Sequence, residues 1–199
     1  MQGRTQRSTQ APSQRARAAD PARAVAFDVL RAVDEGDSYA NLVLPPLLRE
    51  RGIRGRDAGF ATELTYGTLR LRGRYDAVLE QAAARDVTRI DPPVLDLLRL
   101  GAHQLLGMRV PAHAAVSQTV GLARERAGTG ASQFVNAVLR TVARDDLDTW
   151  LQRIGDAADP GADDQVARLA ATHSHPQWVV RAQHVERHGP GRVGGACPL

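Results

Sequence analysis

The chain has 199 residues, a formal net charge of +4 and 26 basic residues, all of them arginine, so a P-loop lysine, a Schiff-base lysine and any lysine general base are excluded. One cysteine, Cys197, excludes an internal disulfide and a cysteine-based metal cluster. No apolar run approaches the ~20 residues of a membrane span and no signal peptide is recognisable, so a cytoplasmic location without a membrane partner is expected.

The length suits one domain with tails, and the scarcity of aromatics beside abundant alanine favours helices over sheets. Charge is unevenly spread: beyond residue 24 the 21 arginines and 21 acids cancel as a whole, yet residues 49–126 carry 13 arginines against 9 acids and residues 127–199 carry 7 against 8. A basic tail and a basic middle stretch are compatible with nucleic acid.

Residues 1–19 have no periodic apolar face and read as a disordered basic tail, its arginines serving either as a flexible arm for phosphates or as a solubiliser. Asp20-Pro21 opens a first helix with an N-cap and a proline at the first helical position; Val25, Val29 and Val33 form its stripe, Arg23 lies beside them, and Gly36 stops it. Ser38 caps a second segment from Tyr39 to Leu44, which Pro45-Pro46 must kink or break. An Arg/Gly turn from Arg49 to Arg56, carrying Arg54, leads into a third helix with Phe60, Leu64, Thr68 and Leu71 in line. Arg70, Arg72 and Arg74 cluster near its end, either as a dipole-favoured C-terminus or as a phosphate-binding surface.

A fourth helix spans Tyr75 to Ala84. Asp91-Pro92-Pro93 then starts the most hydrophobic helix, rich in leucine to Leu106, which the pattern places at the buried centre of a bundle. Gly101 there permits a close helix crossing, and His103, without a second ligand four residues on, reads as structural. Pro111 begins the next helix, with Val116, Val120 and Ala123 inward and Arg124 and Arg126 in its last turn. Gly128 and Gly130 punctuate a loop, Ser132 is the expected N-cap, and Phe134, Val135, Val138, Leu139 and Val142 give a last apolar face. Asn136 sits at the edge of that face between Gln133 and Arg140, in one polar ridge; it is either a structural asparagine bonded to a neighbouring loop or a direct RNA contact. Six or seven short amphipathic helices with no alternating pattern predict an all-α bundle.

From Asp145 the chain turns acidic around a short helix with Trp150, Leu151 and Ile154, a region that repels phosphate; its paired carboxylates suit a solvated linker better than Mg²⁺. His173 and His175 have no enforced metal geometry. Gly189, Gly191 and Gly194 formally match G-x-G-x-x-G but no strand precedes them, and Cys197 has no base beside it, so neither a dinucleotide site nor a nucleophile is expected.

Three blocks carry a family resemblance: RDAGFATELTYGTLRLRGRYD at 56–76, PAHAAVSQTVGLARERAG at 111–128 and FVNAVLR at 134–140. Together they resemble the helical RNA-binding domain shared by NusB-type antitermination factors and the N-terminal part of ribosomal RNA cytosine-C5 methyltransferases of the RsmB (Fmu/Sun) family. The likeness covers about Pro21 to Arg181. It implies a NusB-like bundle of six to seven short helices over residues 20–145 and an acidic linker with a connector helix over 146–181, in which Pro176 starts a helix that buries Trp178. An irregular tail over 182–199 comes last. RNA contacts are expected from Arg23, Arg54, Arg56, Arg70, Arg72, Arg74 and Arg140, with Phe134, Asn136 and Leu139 as the structural motif and no catalytic or metal-ligating residue.

In the resembling enzymes the chemistry belongs to a C-terminal domain that binds S-adenosylmethionine and attacks cytosine with a cysteine thiolate. Nothing in this chain matches that domain, so the resemblance implies a truncated or frame-shifted RNA-binding portion, holding no cofactor and inactive alone. Its partner would be RNA, foremost 16S ribosomal RNA, and not DNA. The alternative is a free-standing antitermination factor that binds leader RNA and a ribosomal protein.

Overall fold

The computed structural model describes residues 20–36 and 38–188, so the basic tail at 1–19, the Gly189–Gly194 motif and Cys197 lie outside the described residues. In chain order the helices are α1 (Pro21–Gly36), α2 (Ala40–Glu50), α3 (Gly55–Arg70), α4 (Arg72–Ala83), α5 (Pro92–Leu106), α6 (Ala112–Val142), α7 (Leu147–Ala158), α8 (Gln165–His173) and α9 (Gln177–His188), with a short 3₁₀ turn at Val87–Arg89. No strand occurs among the described residues, so the architecture is all-α.

The Asp20-Pro21 start is formed as expected: Asp20 Oδ1 accepts the Arg23 backbone N–H at 3.0 Å. Four local expectations are corrected. The two prolines at 45 and 46 lie inside α2 without ending it. The carbonyls they leave unbonded, four residues back, belong to Asn41 and Leu42, both exposed, where water can serve them. Ser38 does not cap this helix; Tyr39 takes the N-cap position with no side-chain cap, and Ser38 Oγ instead faces the Gly36 carbonyl at 3.4 Å. Ser132 does not start a helix either. The break lies at Gly128, whose φ of 87° and ψ of 177° only glycine adopts without strain, and Ser132 is buried inside the following turn, donating to Thr129 O at 2.7 Å. Finally, Arg72 and Arg74 open α4 instead of closing α3, so the favourable C-terminal dipole setting holds for Arg70 alone.

α5 is the centre. Eleven consecutive residues, Val94 to Gln104, are buried, which requires helices on all sides: α1, α3, α4 and α6 all pack on it. The crossing with α6 is close: Gly101 meets Leu139 so that a Cβ on residue 101 would stand 2.5 Å from Leu139 Cδ1. Glycine is what lets the two axes approach.

Four polar side chains share this buried helix, and each is held by a different neighbour. Asp96 accepts from Arg31 at 2.9 Å and from Arg99 at 3.0 Å. Arg99 also forks onto Asp76 of α4, at 2.7 and 2.9 Å. Gln104 accepts from Arg23 Nε at 2.7 Å and donates to Leu100 O and Thr119 Oγ1. His103 Nδ1 pairs with the Tyr75 hydroxyl at 2.7 Å. Asp96, Arg99 and His103, at i, i+3 and i+7, form a polar stripe down an otherwise apolar helix.

His103 fills a slot walled by glycines: a Cβ on Gly67 would collide with its Nε2 side, and one on Gly107 would sit 2.6 Å from Nδ1. Burial holds the His103 imidazole below its ordinary range, against the opposing pull of Glu63, while burial raises the Tyr75 phenol to about 12. A histidine whose folded pKa is depressed lets the unfolded chain take up the proton first as pH falls. Stability conferred by neutral His103 is therefore complete above about pH 6.5 and declines below it, by up to about 1.4 kcal/mol per pH unit, until the folded pKa is reached. Urea unfolding at pH 7.5 and 5.5 checks this: His103→Gln, weaker at pH 7.5, should lose less stability than the native chain on acidification.

Candidate nucleic-acid interface

The sequence-expected arginines fall into two physical groups. Arg23 is buried at 9% exposure, its guanidinium 4.7 Å above the Phe60 ring, with Nε on Gln104 and NH1 3.4 Å from Asp20. Burial lowers its pKa, and its donors are turned into the bundle. Arg72 forks onto Asp34 at 2.7 and 3.3 Å. Arg74 donates from Nε to the Thr172 carbonyl at 2.6 Å, tying α4 to the end of α8. These three are positioned by internal partners.

The others are exposed. Arg54 and Arg56 stand at the start of α3 and Arg70 at its end, none with an ion pair among the described residues. Along α3 the exposed positions Arg56, Gly59, Glu63, Tyr66 and Arg70 fall on one face, because steps of three and four residues return the helix to the same side. Arg56 and Arg70 are fourteen residues apart, about 21 Å along the axis at 1.5 Å per residue, with the half-exposed Tyr66 between them. Such a face can meet several phosphates and offers one ring for stacking, with Glu63 the single opposing charge.

A second convergence was invisible in the sequence. Arg51, just past α2, and Arg126, in α6 before the Gly128 break, both reach Asp28 of α1, at 2.5 and 3.4 Å. Residues 23 and 98 positions from Asp28 thus meet at the end of α2, and Arg51 is followed within five residues by Arg54 and Arg56 at the α2–α3 corner. No sequence spacing announces that meeting.

The FVNAVLR segment lies in the second half of α6. Leu139 and Val135 are fully buried, and Phe134 packs at the edge of the core under the Arg85 guanidinium, 5.6 Å from the ring centre. Asn136 Oδ1 accepts from Arg140 Nε at 3.2 Å on the same helix, so the polar ridge forms within α6 and not to a neighbouring loop.

The acidic region beyond residue 145 is used for local architecture. Asp146 caps α7 by accepting from Thr149 N at 2.9 Å, and Asp164 caps α8 by accepting from Ala167 N at 3.0 Å. Asp159, 7% exposed, accepts from the backbone N–H groups of Asp163 and Asp164. α8 then docks on the bundle, the Gly73 backbone N–H donating to Ser174 Oγ at 2.9 Å beside the Arg74 bond. α9 runs on to His188, and the Trp178 expectation is corrected: its side chain is not buried but 74% exposed, because the inward position of α9 is taken by Val180.

Among the described residues no helix is long and apolar enough to cross a membrane. The NusB family model matches residues 20–144. A Mycobacterium tuberculosis (strain H37Rv) protein named as a methyltransferase is 54% identical over 168 residues, covering 84% of this chain and 36% of that protein. The ribosomal RNA small subunit methyltransferase B of Pseudomonas syringae pv. tomato is 33% identical over 175 residues, covering 80% of this chain and 38% of its own length. This chain therefore spans a little over a third of these relatives. Among solved structures, a chain from the crystal structure of antitermination factors NusB and NusE in complex with dsRNA is similar, with TM-score 0.56, 25% identity, and coverage of 66% of this chain and 98% of that one.

Proposed function

Because the chain belongs to the NusB family, we propose that it is the RNA-binding domain of a ribosomal RNA cytosine-C5 methyltransferase, corresponding to the portion that precedes the S-adenosylmethionine-binding catalytic domain. The observation that carries this reading is the exposed arginine face of α3 and the α2–α3 corner, in a chain whose match to the methyltransferase relatives is longer than the NusB family match at 20–144. Its role is positioning. Guanidinium groups hold RNA phosphates by releasing counterions, so that a separate catalytic domain meets its cytosine. A 16S ribosomal RNA segment in the bacterial cytoplasm is the target we assign, with no cofactor held by this chain itself.

The arginines divide the work. Arg54, Arg56, Arg70 and Arg140, exposed, are the candidates for phosphate contact, while Arg23, Arg72 and Arg74 support the surface through Gln104, Asp34 and Thr172. Replacing Arg54, Arg56 and Arg70 together by Gln should weaken binding to a ribosomal RNA hairpin about tenfold or more at low salt and flatten the plot of log affinity against log salt by about two to three units of slope, with the melting temperature unchanged. Filter binding at four salt concentrations measures it. An unaltered slope would remove this face from the interface.

The adaptor reading, a free-standing factor that holds leader RNA and a ribosomal protein, rests on the NusB family match at 20–144 and the similarity to the NusB chain, and does not use α8 and α9. It predicts full RNA affinity in a chain ending at Arg144; the methyltransferase reading predicts that the arm is needed to engage the catalytic domain.

A further inference from the structure

Among the described residues much of the α9 surface is open. The helix packs principally on α8, with Val180 inward, and leaves Pro176, Gln177, Trp178, Arg181, Ala182 and Gln183 exposed. An indole 74% exposed at the first turn of a helix is costly to leave in water and is the side chain most often found as an interface anchor. The arm beneath it is not slack. Ser174 takes a left-handed conformation, φ 59°, which ends α8 and turns the chain into α9, and that same residue is bonded to Gly73 N while Arg74 holds Thr172 O. The indole is thus presented at a fixed place on the bundle. Between the arm and the bundle lies an open cleft of about 560 Å³, lined by Leu69, Arg70, Asp76, Ala170, His175 and Pro176 among others.

We propose that the exposed face of α9 around Trp178 is the docking surface for the folded domain that lies C-terminal to this region in the longer relatives, which receives the indole in an apolar pocket. This rests on the methyltransferase reading above. Two observations select that occupant. The 54%-identical relative matches this chain over 84% of it yet is about three times as long as the match, so most of that polypeptide lies outside the matched region and is available as the occupant. Asp163 and Asp164, exposed at the start of α8 and without an ion pair among the described residues, disfavour RNA as the cover.

Fluorescence isolates the test, because the two tryptophans differ: Trp150 is 2% exposed with its indole N–H bonded to Val142 O, so a change on binding belongs to Trp178. The portion of the mycobacterial relative beyond its matched segment, purified as a tryptophan-free variant, is titrated into this chain. The expected result is a blue-shifted, saturable emission change, absent in Trp178→Ala, with affinity lowered about thirtyfold in Trp178→Ala and less in Trp178→Phe by calorimetry. No shift together with unchanged affinity in Trp178→Ala would overturn the proposal. A Trp178-dependent dimer of this chain by sedimentation, or an emission shift produced by the ribosomal RNA hairpin, would overturn it in favour of another occupant. Salt-dependent RNA affinity of the arginine face, measured on the same preparation, stands or falls separately.

Discussion

Replacing Asp96 by alanine should destabilise the bundle by about 3–5 kcal/mol, because it leaves two guanidiniums facing an emptied, dry site. Asp96 is 1% exposed and is the common acceptor of Arg31 and Arg99, whose side chains are 14% and 5% exposed. Burial and the nearby Asp34 push its carboxyl above the usual range, while the two guanidiniums in contact pull the other way. Removing the carboxylate leaves Arg99 with Asp76 and Arg31 with Glu35, but the two buried N–H groups that faced Asp96 lose their acceptor. Asp96→Asn, which keeps the shape and one acceptor, should cost less than the alanine. Urea unfolding gives the free energies, and a drop of roughly 10 °C or more in melting temperature is the matching thermal result for a domain of this size. A loss under 1 kcal/mol for the alanine variant would mean that water already enters this site.

The second large effect is at the α5–α6 crossing. Gly101→Ala places a methyl 2.5 and 2.6 Å from the two Leu139 methyls and should cost about 1–3 kcal/mol through overpacking. Leu139→Ala, at a fully buried position, should cost about 2–5 kcal/mol through the cavity it leaves. The two errors are complementary in space. The double variant should be more stable than the sum of the singles by about 1 kcal/mol or more, a coupling that equilibrium unfolding of the four proteins measures directly. Simple additivity would show that the helices move apart to absorb the methyl.

What the sequence revealed depended on how local the cause was. Valine and leucine periodicity in α1, α5 and the second half of α6 located those helices, and Asp20-Pro21 located a boundary, since caps and stripes act over three or four residues. Gly101 was legible as a close crossing for the same reason. The Pro45-Pro46 pair does not break α2, since a rule about lost hydrogen bonds takes no account of where the orphaned carbonyls face. Ser132 misled because a glycine at φ 87° ended the preceding segment four residues earlier and left no helix start for the serine to cap.

The candidate interface was legible only in part. Arg70, Arg72 and Arg74 read as one cluster, but the α3–α4 junction falls between them, and Asp34 and Thr172, 38 and 98 residues away from their partners, engage two of the three. The meeting of Arg51 and Arg126 at Asp28 depends on three helices and has no local signal. The family resemblance places Trp178 inward, yet Val180 holds that position. In α5 the sequence marks His103 as structural but gives no sign of Asp96 and Arg99, because the i, i+3, i+7 spacing is local while their partners are not.

That stripe also answers a question leucines alone leave open. A helix apolar on all sides could slip by one turn, about 5.4 Å, and still bury leucine everywhere, so several dockings would be nearly equal in energy. With Asp96, Arg99, His103 and Gln104 each keyed to a partner on a surrounding helix, a slipped register strands charges in the dry interior. The stripe works as a ruler: it selects one alignment of the bundle, and with it the spacing of the arginines on the outside.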